Sequence, residues 1–379
     1  MAIENSNSQS SLVYPWLQKA WEQFELDSLP QAILLHGQKG LGKFDFGLTL
    51  AQAILCEADL FTTGEKPCRQ CQACRWFETG NHPDFIALLA PAYRGRLTLA
   101  ELEGTTAAPS PEPEEKEEGE GKKESAYIRI AEVREAMSGI HVASHRGGRR
   151  VVLIYPLESL RDDAANTLLK SLEEPNPETI FILISDRLDQ VLPTIRSRCQ
   201  LIALPKPTRE QALEWLKLSL ADLKDLKISA EEIEATLDEQ AGSPLSAKEL
   251  ILARHEGDDK DGLGLIASAS RTMLEALSKG RAIPWLECAE KIQKAPYGAL
   301  LTCLQRWLFD LQTAHQLGEL RYYRRHAKQI QSLAGQLHLA RAQRLWSTVV
   351  AARKHENHPL STRVQMESML LQYQQIFGD

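Results

Sequence analysis

The sequence lacks any long apolar run. No stretch of 18 consecutive apolar side chains occurs among its 379 residues, so we expect no membrane-spanning helix and no membrane partner. A basic N-terminal region followed by an apolar stretch is also missing, which argues against export and for a cytoplasmic protein. The length favours two or three domains, because a domain commonly has roughly 100–200 residues.

Strong net charge is missing from most of the chain. The net charge is −7, and residues 101–126 carry nine glutamates against three lysines, which leaves about −1 elsewhere. This segment has almost no apolar side chains to offset the entropy cost of ordering, so we expect a disordered acidic surface insertion. The most basic stretches are residues 145–152 and 321–328, and we interpret both as solvated surfaces.

A disulfide framework is not expected for the seven cysteines of a protein in a reducing compartment. Four of them are closely spaced, three in a C-x2-C-x2-C pattern, and together they predict a metal site: Cys56, Cys68, Cys71 and Cys74. Four thiolates complete the tetrahedral shell of a structural zinc ion and leave no place for a catalytic water. An iron–sulfur cluster and clustered unliganded thiols are the alternatives, and His82 could replace one cysteine.

Short runs rich in Ile, Val and Leu alternate with helical patterns in the first half of the chain. The strand-like runs are residues 31–37, 84–90, 150–156, 179–185 and 200–205. This alternation predicts an α/β domain whose parallel sheet is covered by helices on both faces, ending near Pro207. Beyond it the patterns are helical only, first in a small unit and then in a bundle of longer amphipathic helices.

A glycine-rich loop between the first strand and the first long helix resembles a phosphate-binding loop. Its candidate nucleotide-binding residues are Gly37, Gly40, Gly42 and Lys43, in the pattern G-x-x-x-x-G-K. The hydroxyl that would hold magnesium is missing, because Phe44 stands in its place. We therefore expect weak nucleotide binding or none.

The third core strand also lacks the acidic pair that phosphoryl transfer requires. The strand ends in Tyr155 and Pro156, and neither can bind a cation or accept a proton. Glu158 would have to be repositioned to help. Loss of the metal ligands removes charge neutralisation at the phosphates, so the chain is not expected to hydrolyse ATP by itself.

One arginine follows the last predicted helix of this domain, in the segment TIRSRCQLI at residues 194–202. Arg198 could be an ordinary surface residue. It could also act in trans, because an arginine that reaches a neighbouring subunit's γ-phosphate stabilises charge during phosphoryl transfer.

Four segments together resemble the delta-prime family of bacterial DNA polymerase III clamp-loader subunits, within the AAA+ class. They are CRQCQACRWFETGNHPDF, DDAANTLLKSLEEPNPETIFILIS, LPTIRSRC and AGSPLSAKEL. The resemblance covers about residues 12–255. The acidic insertion departs from the family pattern, as does the retained loop lysine, while Leu245 stands where active clamp loaders carry an arginine.

The resemblance implies a RecA-like AAA+ domain over residues 1–207, with a zinc module at about 56–82. A small helical lid (208–257) and an all-α collar domain (258–379) would follow. It further implies an ATPase-deficient stator subunit that assembles with gamma or tau and delta subunits to load a sliding clamp on primed DNA. Arg198 would then be the trans arginine finger, and the four cysteines would bind zinc.

Two other functions stay open at this level. An active P-loop ATPase would turn over ATP as the isolated chain and depend on Lys43. A zinc-dependent nucleic-acid-binding module would bind DNA with strong salt dependence. The near-neutral charge makes the second the weaker alternative.

Overall fold

The computed structural model describes residues 13–58, 66–97, 127–140, 148–221, 228–255, 262–356 and 361–378. The predicted acidic insertion at 101–126 lies outside these residues. The chain divides into two compact units, Met1–Lys206 and Pro207–Asp379. The further division of the second unit into a lid and a collar stays a prediction.

The first unit contains a five-stranded sheet in which every pairing is parallel, with strand order β2-β3-β4-β1-β5. The strands are β1 (Ala32–His36), β2 (Phe85–Leu89), β3 (Arg150–Tyr155), β4 (Thr179–Ser185) and β5 (Gln200–Ala203). All five predicted strand segments and the parallel sheet are confirmed.

Helices lie on both faces of this sheet, which explains why every residue of β3 and β4 is buried. The helices of this unit are α1 (Gln18–Trp21), α2 (Lys43–Leu55), α3 (Gln72–Glu78), α4 (Ile130–Ile140), α5 (Asp162–Glu173) and α6 (Pro193–Arg196). On one face, Leu34 and Phe181 pack in a cluster with side chains of α4 and α5. On the other face α2 comes close to β4, because a Cβ added at Gly47 would lie 2.5 Å from a methyl carbon of Ile184.

The register of β1 and β4 decides where the functional residues meet. His36 at the end of β1 pairs with Ser185 at the end of β4. The glycine-rich loop follows His36, and Asp186 follows Ser185. Since carboxyl ends of neighbouring parallel strands open at one edge of a sheet, the loop and Asp186 lie side by side.

In the described part of the second unit the regular elements are helices, with one isolated bridge between Leu337 and Phe377. Its helices are α7 (Arg209–Ala221), α8 (Ala230–Glu239), α9 (Pro244–His255), α10 (Gly262–Leu277), α11 (Trp285–Ile292), α12 (Tyr297–Leu317), α13 (Ala327–Ala334), α14 (Leu339–Ala352) and α15 (Thr362–Gln374). α7, α8 and α9 share one buried apolar cluster, and α10 to α15 share another. Among the described helices, none is long and apolar enough to cross a membrane.

Candidate functional site

The glycine-rich loop has the backbone of a turn that passes directly into a helix. Gly40 and Gly42 have φ angles of 79° and 85°, in the left-handed region that favours glycine. Gly42 is the N-cap of α2, which begins at Lys43. Tyr14 lies against the loop, since a Cβ added at Gly42 would come within 2.3 Å of its ring. The hydroxyl of Tyr14 donates a hydrogen bond to Asp45 at 2.8 Å.

The ammonium group of Lys43 is bound by acceptors of the same chain. Its Nζ lies 2.5 Å from Oδ1 of Asp186, and it donates a hydrogen bond of 2.6 Å to the carbonyl oxygen of Gln38. The Lys43 side chain is only 2% exposed. Burial lowers the pKa of Lys43, and the Asp186 carboxylate opposes that shift.

Asp186 makes two further hydrogen bonds, one through its carboxylate and one through its backbone. The Tyr155 hydroxyl donates to Oδ2 of Asp186 at 3.0 Å, and the Asp186 backbone N–H donates to Oε1 of Glu158 at 3.0 Å. Burial raises the pKa of Glu158, and the nearby Asp186 charge adds to this shift. Lys43, Asp186, Tyr155 and Glu158 therefore form one largely buried polar network beside the loop.

Phe44 and Tyr155 are the residues that the sequence pattern predicts to stand in place of metal ligands. Both are buried, at 4% and 6% exposure, and their rings stack with centroids 5.0 Å apart and planes 25° apart. Aromatic pairs in this arrangement are stabilising in a protein core. The two rings therefore pack together, and each fills the space beside the other.

Arg198 lies two residues beyond α6 and does not join the Lys43 network. Its Nη2 lies 2.5 Å from Oε1 of Glu173, the last residue of α5. Its Nη1 donates to the carbonyl oxygen of Thr194 at 2.9 Å and to the Ser197 hydroxyl at 3.3 Å. The side chains of Arg198 and Glu173 are 33% and 49% exposed, so this ion pair faces solvent.

The four cysteines of the predicted metal site come together in the structure. The sulfur atoms of Cys56, Cys68, Cys71 and Cys74 all lie within 4.8 Å of one another. Sulfurs are 4.0 Å apart in the pairs Cys56–Cys71 and Cys68–Cys74. Tetrahedral zinc would place them about 3.8 Å apart, given Zn–S bonds of about 2.3 Å. The cluster could hold a metal ion and is compatible with structural zinc.

Backbone N–H groups point at these sulfurs, an arrangement that suits thiolates. The N–H groups of Cys68, Cys71 and Cys74 donate to the sulfurs of Cys56, Cys68 and Cys71 over 3.4, 3.3 and 3.5 Å. Burial raises the pKa of Cys68, but hydrogen bonds from the Gln70 and Cys71 N–H groups outweigh it and lower that pKa to about 7. Burial raises the pKa of Cys56 and of Cys74. His82 is outside the cluster, and its Nδ1 accepts the Asp84 N–H at 3.1 Å.

The basic stretch at 145–152 serves internal contacts where the structure describes it. Arg149 donates to the carbonyl oxygens of Leu26 and Asp27. Arg150 is 4% exposed and lies 3.5 Å from Asp84. The interpretation of this stretch as a solvated surface is therefore wrong for Arg150, because the arginine neutralises a buried carboxylate.

The second basic stretch, 321–328, is exposed at its arginines and at Lys328, while Tyr323 is buried, and the stretch also contributes to internal contacts of the second unit. The Arg321 guanidinium lies 5.4 Å from the ring centre of Tyr322. Arg324 pairs with Asp238 at 3.4 Å. In both stretches, therefore, some of the described basic residues are committed to contacts within their own unit.

The sequence patterns alone missed Asp186, Glu173 and Tyr14. Asp186 had a usable signal, because a carboxylate directly after a buried parallel strand marks the edge of the sheet where ligands bind. Glu173 and Tyr14 had none, since an acidic residue ending a helix and a tyrosine before the first strand are both common.

Comparison with known proteins places the chain in a family. Residues 15–208, just over half of the chain, match the family described as "DNA polymerase III, delta subunit". The chain belongs to this family. The matched residues contain the glycine-rich loop, the four cysteines and Arg198, so the described geometry lies inside the family's own region.

Curated relatives carry the name DNA polymerase III subunit delta'. The relative from Pseudomonas aeruginosa is 35% identical over 241 residues, which cover 63% of this chain and 61% of the relative. The Escherichia coli K12 relative is 30% identical over 250 residues, which cover 65% of this chain and 62% of the relative. The chain thus spans about three fifths of the length of the relatives it matches.

Among solved structures, a DNA polymerase III gamma subunit-related protein from Thermotoga maritima is 15% identical. The match covers 95% of this chain and 98% of that chain, with a TM-score of 0.42.

Proposed function

We propose that this chain is a clamp-loader subunit of DNA polymerase III that does not hydrolyse ATP itself. It assembles in the cytoplasm with gamma or tau and delta subunits, and the complex loads a sliding clamp on primed DNA. Arg198 reaches the ATP held by the adjacent gamma or tau subunit. Its AAA+ domain, lid and collar correspond to residues 1–207, 208–257 and 258–379.

The stacked rings of Phe44 and Tyr155 carry the proposal. In a hydrolysing site these two positions face magnesium, whereas here they carry buried aromatic rings whose centroids are 5.0 Å apart. Without the metal, the charge that develops on the transferring phosphate has no neutralising partner. The chain can then contribute to phosphoryl transfer only at the adjacent subunit, by supplying an exposed positive charge. Arg198 carries such a charge.

The test is ATP turnover by the complex reconstituted with gamma or tau and delta subunits on primed DNA. Arg198→Ala should slow turnover at the adjacent site by about a thousand-fold, the lower end of the range for trans arginines. Arg94→Ala is the matched control, because Arg94 is also an exposed arginine of the first unit paired with one glutamate, at 2.8 Å from Glu132. Equal turnover in the Arg198→Ala and wild-type complexes would refute the role.

We also propose that the cysteine cluster binds one structural zinc ion. Four protein sulfurs leave no coordination place open, so the ion stabilises the segment between α2 and β2 rather than acting in chemistry. Elemental analysis of the purified chain should find about one zinc per chain. Cys71→Ser should lose that zinc and Cys199→Ser should keep it. Iron with acid-labile sulfide in place of zinc would show the alternative cluster instead.

A further inference from the structure

The loop that resembles a phosphate site keeps its shape while its lysine is already engaged. Gly40 and Gly42 retain the left-handed backbone that lets such a loop turn its N–H groups inward. The Lys43 ammonium, which would meet a phosphate oxygen, instead meets a carboxylate oxygen of Asp186 at 2.5 Å. Both acceptors are oxygens of an anionic group, so the carboxylate can replace a phosphate in this contact.

Asp186 is fixed in that place. Its second oxygen accepts the Tyr155 hydroxyl at 3.0 Å, and its backbone N–H is bound by Glu158 at 3.0 Å. It directly follows β4, which pairs with β1 up to His36, the residue before the loop. An internal group held this way has a high effective concentration at the ammonium, which an external ligand must overcome.

Charge and space add to the obstruction. The Asp186 carboxylate lies against the Lys43 ammonium, and its negative charge repels an incoming phosphate. The Tyr14 ring lies directly against Gly42, the last glycine of the loop. Tyr14 is tied to α2 by its hydrogen bond to Asp45 at 2.8 Å.

We propose that Asp186 is an internal ligand that occupies the phosphate place of this loop, and that the loop binds the phosphates of a nucleoside triphosphate once Asp186 is neutralised. This inference deepens the proposed function, on which it rests, because it gives the loop a ligand but no hydrolysis. The loop glycines persist, on this view, to shape a site that the chain fills with its own side chain. Binding by the altered loop needs no magnesium, since Phe44 offers no metal ligand.

Calorimetric titration of the full-length chain with ATP in the presence of EDTA tests the proposal. Asp186→Asn keeps the shape of the side chain and removes its charge, and it should bind ATP at least about ten-fold more tightly than wild type, a change of about 1.4 kcal/mol. Adding Lys43→Met to Asp186→Asn should abolish the gain. Asp189→Asn is the matched control, because it removes an exposed carboxylate three residues further on and should leave affinity unchanged.

A milder variant keeps the test decisive if Asp186→Asn folds poorly. Tyr155→Phe leaves both charges in place and removes one hydrogen bond from Asp186, so it should give a smaller gain in affinity. ATP should also raise the thermal midpoint of either variant more than that of wild type. Folded variants that bind ATP no better than wild type would overturn the proposal, as would an equal gain in Asp189→Asn.

The same variants separate this inference from the proposed function. Asp186→Asn should bind ATP without turning it over. Magnesium-dependent hydrolysis by that variant would refute the proposed lack of catalysis while leaving the internal ligand intact. A loss of turnover in the Arg198→Ala complex combined with no gain in Asp186→Asn would keep the proposed function and reject the internal ligand.

Discussion

Two cations of the first unit make ion pairs of the same length in different surroundings. Lys43 and Arg198 each lie 2.5 Å from a carboxylate oxygen, of Asp186 and Glu173 respectively. The Lys43 and Asp186 side chains are 2% and 9% exposed, while those of Arg198 and Glu173 are 33% and 49% exposed. Distance alone would rank the two pairs as equal.

Burial makes the two pairs differ in what they can do. Separating a buried pair leaves a charge without water or counter-ion, so Lys43 and Asp186 are committed to each other. An exposed pair contributes little, because water screens it and replaces either partner at low cost. Arg198 can therefore leave Glu173 for another anion, whereas Lys43 cannot leave Asp186 without a substitute.

The largest expected effect comes from breaking the buried pair. Asp186→Ala should lower the free energy of unfolding by about 3–5 kcal/mol, because Lys43 is left buried without its carboxylate. Urea unfolding followed by circular dichroism measures the change. The double variant Lys43→Met, Asp186→Ala should lose less than Asp186→Ala alone, since no charge is stranded. A loss for Asp186→Ala below about 1 kcal/mol would erase the difference between the two pairs.

A smaller effect is expected from the pH dependence of the buried network. Burial raises the pKa of Glu158 above its ordinary value of 4.5, so the folded state holds this proton more tightly than the unfolded state. The resulting stabilisation is present below pH 4.5 and is lost as pH rises through the raised pKa. Glu158→Gln cannot titrate there.

The thermal midpoints of wild type and Glu158→Gln, measured in steps from pH 4 to pH 8, should therefore diverge. Wild type should lose stability relative to the variant as pH rises. Midpoint curves that stay parallel over this interval would show that Glu158 has its ordinary pKa and that the network is wetter than its burial indicates.

The smallest effect on stability is expected at the exposed pair. Glu173→Gln should change the free energy of unfolding by only about 0–1 kcal/mol, because both side chains are solvated. In the reconstituted complex it should keep full ATP turnover, or exceed it, since Arg198 loses a competing anion. Urea unfolding and ATP turnover of the same preparation give both values. A stability loss as large as that of Asp186→Ala would mean that Arg198 is structural.

Much of the fold was predictable because its determinants are local. Apolar runs specified β3 and β4 to within a residue or so, since a strand buried on both faces needs continuous apolar side chains. The helix after the loop was predicted from its spacing and begins at Lys43. The cysteine spacing likewise predicted a cluster, because two-residue gaps let sulfurs of one segment converge.

Other parts of the site depend on contacts between segments far apart in the chain. No local pattern shows that Asp186 would meet Lys43, or that Tyr155 would stack on Phe44. Arg150 gives a second example. The basic stretch that contains it predicts a solvent-exposed surface, yet this arginine is buried against Asp84.

The sequence by itself determined which strands and helices follow one another along the chain and the turn formed by the glycine-rich loop. It also determined the grouping of the cysteines and the loss of the metal-binding hydroxyl at Phe44. These follow from side-chain periodicity, glycine's backbone freedom and spacing, which act over a few residues. Only the tertiary structure decided that Asp186 binds the Lys43 ammonium and that the Arg198 side chain is exposed to solvent. Both depend on which parallel strands lie side by side and how deeply each ion pair is buried, and that is settled when the whole sheet packs.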